Sequence, residues 1–208
     1  VTGRLSRLLI AVAFGAVLAA GAVTAVLLWP ASSTASATPD RESADAGFAR
    51  DMAVHHQQAV ELSFIVRDRT DDEEVRRLAY DVINTQANQR GMLLGWLDAW
   101  DLPKSSQQPP MTWMGHGSMH EAHDGSLMPG MATNAQMDKL RKADSKQAEI
   151  LYLQLLTAHH KGGITMSEAA AGMAKTEQVR RLARGMVEGQ ESEMRLMADM
   201  LKERGATA

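Results

Sequence analysis

Two hydrophobic patterns divide this chain. From Leu8 to Trp29 there is no charged residue, and Pro30 closes the run. From Phe48 onward, apolar residues return every three or four positions between polar ones. The first pattern has no polar face, so it predicts a lipid-facing helix rather than part of a soluble fold. Its length, at about 1.5 Å per residue, spans roughly 33 Å, enough for a bilayer core. Arg4 and Arg7 precede it, and the positive-inside bias sends everything after it out of the cytoplasm. The reading is a single-pass anchor over 1–30 and a solvated linker over 31–44. Ala35-Ser36-Ala37 is an acceptable small-x-small cleavage site, and its use would make the protein secreted.

The second pattern is duplicated. His55-His56 recurs as His159-His160, and Val75-Arg76-Arg77-Leu78-Ala79 recurs as Val179-Arg180-Arg181-Leu182-Ala183, both 104 residues apart and with no gap. Phe48 then aligns with Tyr152, Leu62 with Met166, Gln86 with Gln190 and Leu97 with Leu201. Within each copy, 3.6-residue periodicity predicts two helices. In the first, one runs through Phe48, Met52, His55, Ala59, Leu62 and Ile65. After a polar break capped by Thr70 or Asp71, the next runs from Val75 to Trp100 and stops before Pro103. In the second copy the helices cover roughly 145–173 and 177–203, and Thr133 or Asn134 caps a short extra helix through Met137 and Leu140. The predicted fold is all-α: an antiparallel four-helix bundle over 45–208, with hairpins at 45–102 and 134–205 joined by a loop at 103–133.

Composition agrees with helix. Ala, Leu, Met, Glu, Gln and Arg dominate, and aromatics make up 4%. A formal charge of −3 gives no reason to expect a nucleic-acid partner. With no cysteine there is no disulfide frame, thiolate metal site or cysteine nucleophile. The chain lacks E-x-x-H, H-E-x-x-H, G-x-S-x-G and any phosphate-cradling Gly-Lys loop, so it reads as a non-enzyme.

What remains is histidine and methionine. Neighbouring residues on a helix lie about 100° apart, so one His of each pair is expected to face inward and the other to sit at the helix boundary. Met52 is three and four residues before His55 and His56, so the three share a face; Leu156 occupies the same position before His159 and His160. The competing reading makes one His of each pair an ordinary hydrogen-bonded core residue. Between the copies, residues 111–131 hold Met111, Met114, Met119, Met128 and Met131 with His116, His120 and His123. Gly115, Gly117, Gly125 and Pro129 deny this stretch a helical apolar face. It reads as a flexible, exposed collector of copper, because thioethers select Cu(I) and imidazole serves Cu(I) and Cu(II). A disordered linker, or a lid with its Met on the bundle, are the alternatives; zinc would use the His and leave the Met unexplained. Met173, Met186, Met194, Met197 and Met200 read as core filler. The arginine pairs read as solvated faces, and Gly162-Gly163 as a close helix approach or room for a ligand.

The doubled motif resembles the bacterial domain-of-unknown-function 305 family, whose best-described members are CopM-type periplasmic copper-binding proteins. The resemblance rests on Asp45-x-x-Phe48-x-x-x-Met52-x-x-His55-His56-Gln57 and Tyr152-x-x-x-Leu156-x-x-His159-His160-x-Gly162-Gly163. Met128-x-Gly130-Met131 and Gln190-x-x-Glu193-x-x-x-Met197 extend it. It implies a ferritin-like bundle and copper binding outside the cytoplasm. Leu156, where the family usually has Met, implies a second site without its thioether. The expectation is a copper buffer whose partners are metal ions, the membrane through the N-terminal helix, and an unidentified copper donor or acceptor. A helical interaction module and a metal-dependent redox enzyme are the alternatives. Imidazole sites lose metal near pH 6–6.5 and thioether sites do not, so His-held copper is expected to fade at pH 5 while loop-held Cu(I) persists.

Overall fold

The computed structural model describes residues 38–115 and 120–208. The expected anchor, the Ala35-Ser36-Ala37 site, His116 and Met119 lie outside the described residues. Among those described the chain is all-helical, with five helices and no strand: α1 (Ala44–Arg67), α2 (Glu73–Ala99), α3 (Asn134–Lys142), α4 (Ser145–Met173) and α5 (Glu177–Glu203). A single 3-10 turn covers Thr112–Met114. None of the described helices is long and apolar enough to cross a membrane.

Helices α1 and α2 form one hairpin and α4 and α5 the other, and α1 packs on α4. Because the repeats are related by a pseudo-twofold axis, the first half of α1 lies beside the second half of α4. The apolar interior accordingly splits into two clusters that exchange under the repeat. One holds Leu62, Val66, Val75, Val82, Tyr152, Leu156 and Leu201. The other holds their mates Phe48, Met52, Leu97, Met166, Ala170, Val179 and Met186.

The turns are fixed by matched polar braces. Buried Asp45 accepts hydrogen bonds from Lys175 N (2.8 Å), Thr176 N (2.9 Å) and Thr176 Oγ1 (2.6 Å), holding the α4–α5 turn. Its mate Glu149 accepts from Thr70 Oγ1 (2.6 Å) in the α1–α2 turn and from Arg204 Nε (2.6 Å). Thr70 Oγ1 also accepts from Asp72 N (3.0 Å), but the N-cap of α2 is Asp72, one residue beyond the expected pair, accepting from Val75 N at 2.9 Å. Thr133 caps α3 with a full capping box through Gln136. The arginine pairs are not simply solvated. Arg76 Nη1 donates to the carbonyls of Arg67 and Thr70, and its mate Arg180 Nη1 donates to those of Ala174 and Lys175 at 2.8 Å each. Each thus satisfies carbonyls left open where the preceding helix ends, and only Arg77 and Arg181 face solvent.

Candidate metal centre

The two His pairs meet between the apolar clusters. All four rings are completely buried, which corrects the expected one-in, one-out arrangement. The angular argument treated each helix as having one buried face. Here α1 packs on both α2 and α4, and α4 on both α5 and α1. The His55 and His159 rings lie against each other, centroids 3.7 Å apart and tilted by 31°.

Each ring is tethered through Nε2. His159 Nε2 donates to His55 O (2.9 Å) and His55 Nε2 to Pro129 O (3.2 Å). His56 Nε2 meets Gln89 Oε1 (2.8 Å), and His160 Nε2 meets Glu193 Oε2 (2.5 Å), the same contact in the other repeat. Carbonyl and carboxylate oxygens only accept, so Nε2 carries a proton in each, and in the neutral rings of His55, His56 and His159 the lone pair lies on Nδ1. All four Nδ1 atoms lack a hydrogen-bond partner, as do Gln86 Nε2, Gln86 Oε1 and Gln190 Oε1 in the same repeat register. A buried unsatisfied polar atom costs about 1–3 kcal/mol. An imidazole anchored at one nitrogen by an oxygen and open at the other is the arrangement metal-ligating histidines adopt. The residues therefore fit a metal ion.

The rings of His55, His56 and His159 are also held in the neutral, ligating state by burial. Burial lowers His55 to about 4 and His56 to about 3, and it holds His159 well below the ordinary value, with neighbouring imidazoles pushing the same way. The expected loss of His-held metal near pH 6–6.5 therefore moves to lower pH for these residues. Among the described residues no three His, Asp or Glu side chains form a group able to hold a metal ion. What the layer offers is imidazole in ones and twos, with thioethers alongside, a donor set suited to Cu(I).

The thioethers come from both helices and loop. Met52, Met111, Met128, Met131 and Met166 are all buried in one cluster, with Met114 half-buried against it. This corrects the exposed, flexible row expected of the loop, because tertiary anchors dock it. Asp51 Oδ2 accepts from Met111 N (2.7 Å) and Trp113 Nε1 (2.9 Å). Gln58 accepts from Ala132 N (2.6 Å) and donates to Ala132 O (2.9 Å). Asp124 accepts from Asn134 N and Ala135 N at the start of α3. Gly162 has its own reason to be glycine: a Cβ there would lie 1.8 Å from Pro129 O. Gly163 faces Gln190 instead, where a Cβ would lie 2.5 Å from Oε1. His120 and His123 lie on a tight turn, with ring centroids 6.1 Å apart; His120 bonds Ser126, and His123 is exposed and bonds Glu121 O. Periodicity missed Gln89 and Glu193, the outer partners of His56 and His160. The repeat was the available signal, since each lies 33 residues after its His.

The family described as domain of unknown function DUF305 matches residues 45–201. A DUF305 protein of Streptomyces coelicolor, provisionally described as secreted, is 64% identical; the alignment covers 81% of this chain and 98% of that one, with a TM-score of 0.75. A DUF305 fragment from Deinococcus radiodurans is 28% identical over 79% of this chain and 99% of that one, TM-score 0.65. CopM in its Cu(I)-bound form shares the fold at 16% identity over 76% of this chain and 96% of that one, TM-score 0.59. No curated protein matches.

Proposed function

The chain belongs to the DUF305 family, and from the histidine layer its repeats enclose we propose that it binds copper outside the cytoplasm, buffering or sequestering the ion without catalysing a reaction. One observation carries this reading: four buried imidazoles are each tethered at Nε2 to an oxygen and open at Nδ1, beside a cluster of thioethers. That combination is costly to build as plain core and selects a soft cation. CopM, solved with Cu(I), Cu(II) and silver, shares the fold; at its low identity the copper assignment rests on this chain's own side chains. The extracytoplasmic placement rests on the N-terminal apolar run behind Arg4 and Arg7, which would also tether the protein to the membrane. The Streptomyces relative's description points the same way. No basic face calls for nucleic acid, and the metal donor or acceptor would be a separate protein.

A helical interaction module is the second reading, favoured by the internal hydrogen bond from His159 to His55 O, which a purely structural polar layer would also make. The discriminating experiment is an anaerobic Cu(I) competition titration of the full chain, repeated with His55, His56, His159 and His160 all changed to Ala. Tight binding by the parent that falls by at least tenfold in the variant supports copper binding by the layer. A parent that binds no Cu(I), or a variant that binds equally well, overturns it.

A further inference from the structure

We propose that the cleft between α1 and the docked loop binds a small amino-carboxylate, a zwitterion of the free amino-acid class, whose carboxylate is taken by Arg50. None of the four layer histidines lines this cleft, and the inference does not rest on the copper reading.

The cleft exists because the loop docks. Asp51 holds the loop through Met111 N and Trp113 Nε1, and the Trp113 ring settles over Gly47, where a Cβ would lie 2.4 Å from its Cγ. Beside that contact lies a cavity of about 190 Å³ whose lining includes Glu42, Arg50, Asp51, Pro109 and Trp113. Pockets for drug-sized ligands run to about 300–1,000 Å³, so this one suits a small molecule.

Arg50 is the group that the fold does not account for. It is 5% exposed; Nε donates to Pro103 O (2.8 Å), Nη1 donates to Arg41 O (2.8 Å), and among the described residues Nη2 has no partner. The repeat shows that the Pro103 brace needs no charge. The mate of Arg50 is Gln154, whose neutral amide makes the corresponding bond from Nε2 to Thr207 O (2.7 Å), and Thr207 is the mate of Pro103. The register holds through both helix ends, since Leu102 N bonds Leu97 O as Ala206 N bonds Leu201 O, each at 2.9 Å. A buried guanidinium held only by carbonyls is costly, and an anion at its open edge offsets that cost. The mates of Gly47 and Asp51 are Leu151 and Leu155, so the polar cleft belongs to one copy alone.

The walls select the ligand. A guanidinium pairs best with a planar carboxylate. Glu42 and Asp51 line the same cavity, which disfavours a doubly charged anion and favours one that carries its own cation. An ammonium group beside these carboxylates meets that requirement, and Trp113 and Pro109 offer an apolar wall to the rest of the molecule.

The test is isothermal titration calorimetry of the full chain with L-leucine, set against isocaproate, which lacks the amine, and isoamylamine, which lacks the carboxylate. L-leucine should bind, and each of the other two should bind about tenfold more weakly or not at all. Arg50→Gln copies the residue of the other repeat, so it keeps the Pro103 brace; it should leave the circular dichroism spectrum unchanged and weaken L-leucine by about tenfold or more. Glu42→Gln, at an exposed position, keeps the test decisive if Arg50→Gln misfolds: it should weaken L-leucine and leave isocaproate unaffected. No heat from L-leucine at millimolar concentration, equal binding by a folded Arg50→Gln variant, or isocaproate binding as tightly as L-leucine would each overturn the proposal.

Discussion

The two apolar ends of this bundle are images of each other under the repeat, yet they are chemically different. One is lined by Leu62, Tyr152, Leu153 and Leu156, and the other by Met52, Met166, Met128 and Met131. Matching residues hold both ends together, since Asp45 and Glu149 brace opposite turns and Arg76 and Arg180 close opposite helix ends. Duplication therefore accounts for the scaffold, and departures from it mark the chemistry. On α1 and α4 the first end offers hydrocarbon, Leu62 and Leu156, which packs and does nothing else. Thioether at the other packs nearly as well and also binds soft metal. The outer partners differ too: His56 rests on neutral Gln89, and His160 on the carboxylate of Glu193.

The largest expected effect treats the ends alike. Met52→Ala and Leu156→Ala should each destabilise the metal-free protein by about 2–5 kcal/mol, since both remove a fully buried side chain. Thermal unfolding should show similar losses, and only Met52→Ala should also weaken Cu(I). Equal losses of Cu(I) affinity in the two variants would erase the distinction between the ends.

Acid tests the layer between them. Folding lowers His55 to about 4 and His56 to about 3 against an ordinary 6.5, so between those values the unfolded chain binds more protons than the native one. Stability is complete above about pH 6.5 and is lost as pH falls toward 4. His55 alone contributes about 3 kcal/mol, or roughly 10 °C in Tm for a domain of this size. A metal-free melting temperature that stays flat from pH 7 to pH 4 would show the rings are not buried neutral.

The braces come next. Asp45→Asn and Glu149→Gln should each cost about 1–3 kcal/mol in urea unfolding, because each leaves a buried donor without its charged acceptor. A large loss in one and none in the other would mean the repeat is not matched in energy as it is in geometry. The smallest effect sharpens the contrast. Leu156→Met conserves volume and should cost less than about 1.5 kcal/mol. It places a thioether before the second pair, but the buried loop methionines stay at the other end, so Cu(I) stoichiometry should not rise.

Much of the scaffold was legible in the sequence, and the reasons differ by feature. Helices α4 and α5 were read with their observed limits, because local periodicity decides such spans. The His pairs stood out through the duplication. Their full burial did not, since it depends on α1 being packed on two neighbouring helices at once. Gly115, Gly125 and Pro129 pointed away from an α-helix, and the described loop residues form none, but nothing local reveals that Asp51 and Gln58 dock the loop and bury Met111, Met128 and Met131. Gly162 was noticed as a glycine inside a helix; its cause is a carbonyl 33 residues earlier in the chain. Glu193 was visible only as part of a family motif, and its contact with His160 is a tertiary fact.

The most direct measurement is anomalous diffraction at the copper edge from crystals of the protein loaded anaerobically with Cu(I). The account predicts one principal copper peak within the bundle, at the histidine layer on the side of the buried methionines Met52, Met128, Met131 and Met166. Copper found only at the His120–His123 turn, or equally at both ends of the histidine layer, would contradict it.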